Sequence, residues 1–378
     1  MDREMMAVPR RPFDFNQRPL VLIWETTQAC DLTCAHCRAC AQPLRHPLEL
    51  STVEARGLID QVAAWEVPVF VLTGGDPLKR PDIYDIVEYS AERGVRASLT
   101  PSATPLLTRE AIEELKRRGL ARLAVSLDAS TPEIHDAFRG VPGAWERALS
   151  AVRWASDCHL PLQINTTVTR RNLDDLDNMV ALLDRLHIVL WSVFFLVPTG
   201  RGQLEDMISP DEAEQVFRKL WSYESSGRTR FHIKTTEGMH YRRFVLQQKA
   251  AARANGEGSV NGAIFEEIAR ARQGVNDAKG FMFVSHVGEV YPSGFLPLSA
   301  GNIRTQPLAE IYQRSPLFLS LRDPRNLKGK CGLCEFNDIC GGSRARAYAT
   351  SRDVFAEEPC CAYLPGLYRR EASAPAAG

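Results

Sequence analysis

The stretch VLIWETTQACDLTCAHCRAC, residues 21–40, decides the fold. Its opening VLIWETT is apolar and rich in β-formers, as expected of a buried strand. Directly after it comes a loop holding Cys30, Cys34, Cys37 and Cys40. Working outward, the same kind of run recurs as PVFVLTG (68–74), VRASLT (95–100), RLAVSLD (122–128), LQINTTV (162–168), IVLWSVFFLV (188–197) and RFHIKTT (230–236). Helical stretches with charged faces separate these runs at 52–65, 81–93, 108–118, 144–157, 173–186 and 210–226. Strands alternating with helices at this spacing predict a parallel α/β architecture, a partial (β/α)6 TIM-like barrel. Two helix starts are marked in the sequence: Ser51 three residues before Glu54, and Ser209 followed by Pro210, Asp211 and Glu212. In both, a hydroxyl precedes a carboxylate by one turn, the capping-box spacing.

The rest of the chain organises around that barrel. Residues 1–19 read as a polar N-terminal tail and 20–236 as the barrel. Residues 237–275 read as a helix (237–254), a Gly-rich linker (254–262) and a short helix (263–273). Residues 276–365 form a small Cys-rich C-terminal domain that opens on a hairpin turning at Val287-Gly288, and 366–378 a disordered tail. Among the 378 residues, 46 Lys and Arg balance 46 Asp and Glu. That neutrality argues against a general nucleic-acid binder or a polybasic membrane anchor. The apolar run Ile188–Pro198 is too short to span a bilayer, and MDREMMAVPRRPFDF lacks the apolar core of a secretory signal. The expected location is the cytoplasm. Seven of the ten cysteines lie in two tight clusters. In a reducing compartment, clustered thiols read as metal ligands or redox groups rather than disulfides.

The first cluster has the spacing CxxxCxxC at Cys30, Cys34 and Cys37. In a parallel barrel, the loops after the strands' C-terminal ends form the active face, so the cluster sits where chemistry belongs. Three chemistries fit. A structural zinc takes four closed ligands, from Cys30, Cys34, Cys37 and either Cys40 or His36. A ferredoxin-type cluster takes four thiolates. A 4Fe-4S cluster on three thiolates keeps one iron open for a chelating substrate, whereas a fully ligated cluster only passes electrons.

The CxxxCxxC loop after the first strand, with His36 before the third cysteine, resembles the radical S-adenosylmethionine (SAM) enzymes. That resemblance implies that the open iron chelates the methionine part of SAM. One electron then releases a 5′-deoxyadenosyl radical that abstracts hydrogen from substrate. It further implies cofactor contacts at Gly74, Gly75 and Asp76 in TGGDP, at Ser126 and Asp128 in AVSLDAS, at Asn165 in INTTV, and at Val197 in FLVPTGRG. Asp76 stands where the family usually has Glu. Cys40 reads as a bystander, since recruiting it would close the open iron.

The second cluster, Cys331, Cys334 and Cys340 with Cys360-Cys361 further on, fits zinc or a second iron–sulfur cluster by spacing. Beside a radical-SAM loop it resembles the SPASM or Twitch auxiliary domains. Ser293 and Ser343 occupy positions where relatives can carry Cys, so one auxiliary 4Fe-4S cluster is implied. Its fourth ligand is Cys360 or Cys361, with Cys361 favoured by the context of relatives.

The motifs WETT, KTTE, VYPSGFL and CGGSRARAYA are similar to those of the branch that makes haem through the alternative pathway and matures haem d-type cofactors. This implies side-chain modification of an iron tetrapyrrole, by oxidative decarboxylation. Such a substrate needs cations for its carboxylates. Lys234, His240, Arg242, Arg243, Arg344 and Arg346 are the candidates, with Met239 or His240 as a ligand for iron. A peptide substrate, cross-linked or otherwise modified as in SPASM-type maturases, is the alternative reading. A non-catalytic zinc- or iron–sulfur-binding protein is the third. The implied partners are the substrate and a low-potential electron donor of the flavodoxin or ferredoxin type, with no nucleic acid and no membrane.

Overall fold

The computed structural model describes residues 13–227, 229–254 and 274–368. Seven parallel strands run in sequence order: β1 (Val21–Glu25), β2 (Val69–Thr73), β3 (Ala97–Leu99), β4 (Arg122–Ser126), β5 (Leu162–Val168), β6 (Leu190–Phe195) and β7 (His232–Thr236). Each expected strand is present, slightly shorter than its apolar run. The helices between them include α1 (Thr52–Ala64), α2 (Ile83–Glu92) and α3 (Arg109–Arg117). Next come α4 (Pro132–Arg139), α5 (Ala144–Asp157), α6 (Leu176–Leu183), α7 (Pro210–Ser225) and α8 (Tyr241–Ala254). Ser51 and Ser209 both form complete capping boxes, with Glu54 and Glu212.

Helix α4 was not expected from apolar periodicity, because its eight residues carry only Ile134, Ala137 and Phe138 as apolar positions. Its ends are nevertheless marked: Thr131-Pro132-Glu133 opens it and Gly140, at φ 70°, closes it.

Side chains alternate between the two faces of the sheet. One face, with Leu22, Trp24, Phe70, Leu72, Ile164 and Trp191, joins the helices in an apolar core. The other lines the inside of the partial barrel.

The C-terminal region is continuous with this sheet. The hairpin turns where expected, and its first strand, β8 (Phe281–Val284), pairs in parallel with β1 in the register Ile23↔Phe283. β9 (Glu289–Tyr291) and β10 (Gly301–Asn302) extend the sheet beyond it. The last part of the expected N-terminal tail is packed as well. Phe15 is buried, and its carbonyl accepts a 2.7 Å hydrogen bond from the Tyr312 hydroxyl. The expected linker after Ala254 and the short helix 263–273 lie outside the described residues. Among those described, no helix is long and apolar enough to cross a membrane.

Candidate active site

The loop leaving β1 is seated by contacts from the loops after β2 and β6 and from the end of helix α4. The Gly75 and Asp76 amides after β2 donate to Thr27 and Ala29 carbonyls at 2.8 and 2.6 Å. Phe138 at the end of α4 accepts from the Ala35 amide at 3.0 Å. After β6, the Arg201 amide donates to the Cys37 carbonyl at 3.0 Å, and its Nε to the Cys34 carbonyl at 2.9 Å. These approaches demand glycine. A Cβ on Gly75 would lie 2.5 Å from the Ala29 carbonyl oxygen, and one on Gly200 would lie 2.3 Å from that of Cys37. Gly75 therefore serves loop-on-loop packing here.

Within the loop, Cys30 and Cys34 are buried, Cys37 is half-buried and Cys40 is exposed. None is in a disulfide. Burial pushes the Cys30 and Cys34 thiols above their usual range. A ligand that takes them as thiolates must supply compensating positive charge. Arg139 lies 3.8 Å from the Cys34 sulfur, and the Ser102 hydroxyl 3.3 Å from that of Cys30. Buried polar atoms without partners gather beside them: His36 Nδ1 and Arg201 Nη2. Burial lowers the His36 pKa to about 4, so the ring is neutral, and it packs on Phe138 with centroids 4.7 Å apart. Three thiols, a cation and orphaned donors make a donor set suited to an iron–sulfur cluster and a polar ligand. Among the described residues, no three His, Cys, Asp or Glu side chains converge closely enough to hold a single ion.

The expected SAM contacts divide. Ser126 and Asn165 are paired in register on the barrel's inner face, half-buried. Three others face elsewhere than expected. The Asp76 carboxylate turns inward, accepting from Thr104 Oγ1 at 2.7 Å and the Leu78 amide at 3.1 Å. Burial lifts its pKa to about 6. Asp128 is fully buried. Its Oδ1 accepts from the Thr167 amide at 2.9 Å and its Oδ2 pairs with Arg139 at 2.5 Å. Burial would raise this carboxyl, but the Arg139 charge prevails and lowers it. Asp128 thus fixes Arg139 and α4 against the cysteine loop. The Val197 side chain lies in the core, away from the inner face. Arg139, Arg201 and Ser102 were missed by sequence reasoning. The capped α4 and the two glycines of PTGRG were the signals available.

The second cluster is built differently. Cys331 is buried, and Cys334, Cys340 and Cys361 are half-buried. After burial itself, the charges of Cys331 and Cys361 both help raise the Cys334 and Cys340 thiols, which places the four in one neighbourhood. Cys360 points away, its sulfur 3.4 Å from the Ile208 carbonyl and packed with Leu196 and Met207. A buried ionic frame surrounds the group. Arg346 donates to both Glu358 carboxylate oxygens at 2.9 Å, and to the carbonyls of Phe195, Leu196 and Glu237. Burial alone would raise the Glu358 pKa, but the adjacent guanidinium holds it at about 2. Arg344 donates to the Val354 and Ala356 carbonyls, with Nη2 3.9 Å from the Cys331 sulfur.

Most of the expected substrate cations are therefore spent inside the protein. Arg344 and Arg346 frame the second cluster. Arg242 donates to the Val275 and Ile339 carbonyls at 2.5 and 3.2 Å. Arg243 pairs with Glu214 and lies 5.1 Å over the Tyr363 ring. His240 is fully buried against Phe217 at 4.7 Å, and burial lowers its pKa to about 3. Met239 is only partly buried beside it. A contiguous KTTE–xxHYRR motif gave these residues one apparent purpose, but the turn from β7 into α8 sends them into packing. Lys234 alone of the set lies on the inner face, exposed. Ser293 and Ser343 both donate to the carboxylate of buried Glu237.

Comparison with known proteins places these features. The Radical SAM superfamily pattern matches residues 24–183. The AdoMet-dependent heme synthase of Methanosarcina barkeri is 43% identical over 92% of this chain and 97% of its own length. The protein of the same name from Nitratidesulfovibrio vulgaris is 41% identical over 94% and 96%. In fold, the chain is similar to Streptococcus suis SuiB bound to S-adenosylmethionine, with a TM-score of 0.71 and 16% identity over 92% of this chain and 78% of that one. A cysteine loop at the mouth of a partial barrel, with relatives this similar along nearly their whole length, assigns the chain to the radical SAM superfamily of enzymes, which bind a 4Fe-4S cluster and SAM.

Proposed function

We propose that this protein is a haem-forming radical SAM enzyme that oxidatively decarboxylates propionate side chains of an iron tetrapyrrole. The observation that carries this reading is the 43% identity to a named AdoMet-dependent heme synthase across almost the full length of both chains. Cys30, Cys34 and Cys37 would hold the SAM-binding cluster. When bound, cluster and SAM supply a 5′-deoxyadenosyl radical. The protein's own part is to place and protect. Arg139 sets a positive charge beside Cys34, the Ser126–Asn165 row would hold the nucleotide, and His36 packs on Phe138 beside the cysteine loop. Each propionate that reacts, two of the four on iron-coproporphyrin III, would lose one hydrogen atom to the radical, carbon dioxide, and one electron to an acceptor, leaving a vinyl group.

Cys331, Cys334, Cys340 and Cys361 are read as ligands of one auxiliary 4Fe-4S cluster, with the turned-away Cys360 supporting that choice. Held there, such a cluster would supply an acceptor for the electron. We further propose that a connecting segment, 237–275, and a C-terminal auxiliary domain, 276–365, follow the barrel, and that the protein acts in the cytoplasm. A flavodoxin or ferredoxin is the proposed donor.

The test is anaerobic turnover of reconstituted protein with SAM, a reductant and iron-coproporphyrin III, followed by mass spectrometry. Loss of carbon dioxide from propionates, matched by 5′-deoxyadenosine, is expected. SAM cleavage without any tetrapyrrole conversion or binding would overturn the reading in favour of a peptide substrate.

A further inference from the structure

On strands β1–β7, the inner face of the barrel carries one carboxylate among the described residues, and it is already neutralised. That is Glu25, which meets Arg38 at 3.2 Å and His286 at 2.9 Å. The cations on the same face are not. The side chains of Lys234 on β7 and Arg122 on β4 have no hydrogen bond or ion pair with any described residue. Their side assignment follows from register. Lys234 pairs with Ser192, Ser192 with Asn165, and Asn165 with Ser126, and Arg122 lies two pairs of residues below Ser126. Ser192 and Thr236, two residues beyond Lys234, approach within 3.3 Å through their hydroxyls, so that row shares one face. On the opposite face, Trp191 donates to Thr166 and Ile233 is buried in the core.

β7 ends the sheet, and its inner-face residues His232 and Lys234 are exposed, so the lumen opens to solvent at this edge. Lys234 is reachable yet walled in. Loss of bulk water lowers its pKa to about 8, and the Arg122 charge adds to the shift. A cation withdrawn from bulk water without a counter-ion costs free energy, a cost that a bound anion removes. The neighbouring strand is aromatic just beyond Lys234: Phe194 on β6, in register with Thr236, meets Phe295 with centroids 6.4 Å apart.

We infer that Lys234, with Arg122 behind it, is the anchor that holds a carboxylate of a polycarboxylate substrate at the open edge of the barrel. The aromatic wall takes the substrate's flat apolar body. This deepens the proposed function and rests on that reading for the substrate's identity. Lys234 is level with Ser126 and Asn165, so an anchored propionate lies at the depth where SAM contacts are expected. Lys234 is a specificity-determining residue, and Arg122 adds positive potential to the same face.

The experiment has two arms on the reconstituted full chain. In the first, iron-coproporphyrin III is titrated and the Soret shift followed. Lys234→Ala should weaken binding roughly 10-fold and Lys234→Glu about 100-fold, as expected for loss or reversal of a charge-assisted contact, while Lys234→Arg stays within about threefold. SAM-dependent cluster spectra should be the same in all four proteins, which excludes misfolding. In the second arm, labelling of Lys234 by trinitrobenzenesulfonate is read by mass spectrometry, with and without butane-1,2,3,4-tetracarboxylate. Protection is expected. No Soret shift in the unaltered protein, with protection by the tetracarboxylate intact, would sink the tetrapyrrole reading and leave the carboxylate anchor standing. Equal binding by Lys234→Glu, or labelling indifferent to the tetracarboxylate, would overturn the anchor.

Discussion

The two cysteine regions are held in place by opposite means. The loop of Cys30, Cys34 and Cys37 is clasped by neighbouring strand-end loops through backbone hydrogen bonds, and the contacts close only where a side chain is missing, at Gly75 and Gly200. The region of Cys331 to Cys361 is framed by buried charge, chiefly Arg346 on Glu358, with Glu237 nearby. Close backbone approach chiefly secures the first, with the Asp128–Arg139 pair beside it, and a network of buried charge secures the second. A ligand-binding loop built from close backbone approach leaves its side chains free for a cofactor. A frame of buried ions does not, and that is why the arginines near the second cluster are unavailable to a substrate.

The comparison can be broken or sharpened by experiment. The largest effect is expected from Cys34→Ala, which should abolish 5′-deoxyadenosine formation, measured by chromatography, while leaving about four irons per chain in the second region. Cys40→Ala, at an exposed position, should stay active; a dead Cys40→Ala would mean that the loop uses its fourth thiol. Next in size is Arg346→Met. It strands the buried Glu358 carboxylate and should cost about 3–5 kcal/mol in denaturant unfolding, with iron lost first from the second region. Iron lost first from the Cys30 loop would contradict the proposed separation.

Gly200→Ala comes third. At φ 62°, with its Cβ directed at the Cys37 carbonyl, it should cost about 2 kcal/mol and lower the SAM-binding cluster's yield selectively. The smallest effect concerns pH. Burial, with Asp277 adding to it, raises the Glu237 pKa from 4.5 to about 8. The folded state thus holds a proton that the unfolded chain releases. Stability from this group is full below about pH 4.5 and is lost as pH rises through about 8. Glu237→Gln should flatten the fall in melting temperature between pH 6 and 9, and an unchanged slope would remove Glu237 as its source. Glu358, held near 2, acts in the opposite sense: its contribution is lost as pH falls below about 4.5 toward 2.

Local patterning sufficed for the parallel strands and the capped helices, because alternating burial and N-cap chemistry are properties of contiguous residues. The CxxxCxxC loop after β1 was equally legible, since three ligands for one cluster come from one short segment. Helix α4 was not, because it is short and weakly apolar, and with it went Arg139. Distant partners decided the remainder. Asp128 reads as a ligand contact until Arg139 and Thr167 are seen to occupy it. Arg242, Arg243, Arg344 and Arg346 read as a cationic patch until their carbonyl and carboxylate partners, up to about 150 residues away, are in view. The sequence by itself determined which chain segments form the sheet and which thiols share a loop. Only the tertiary structure decided which charges are free, because a side chain's availability depends on what long-range folding brings within hydrogen-bonding reach, and no local pattern encodes that.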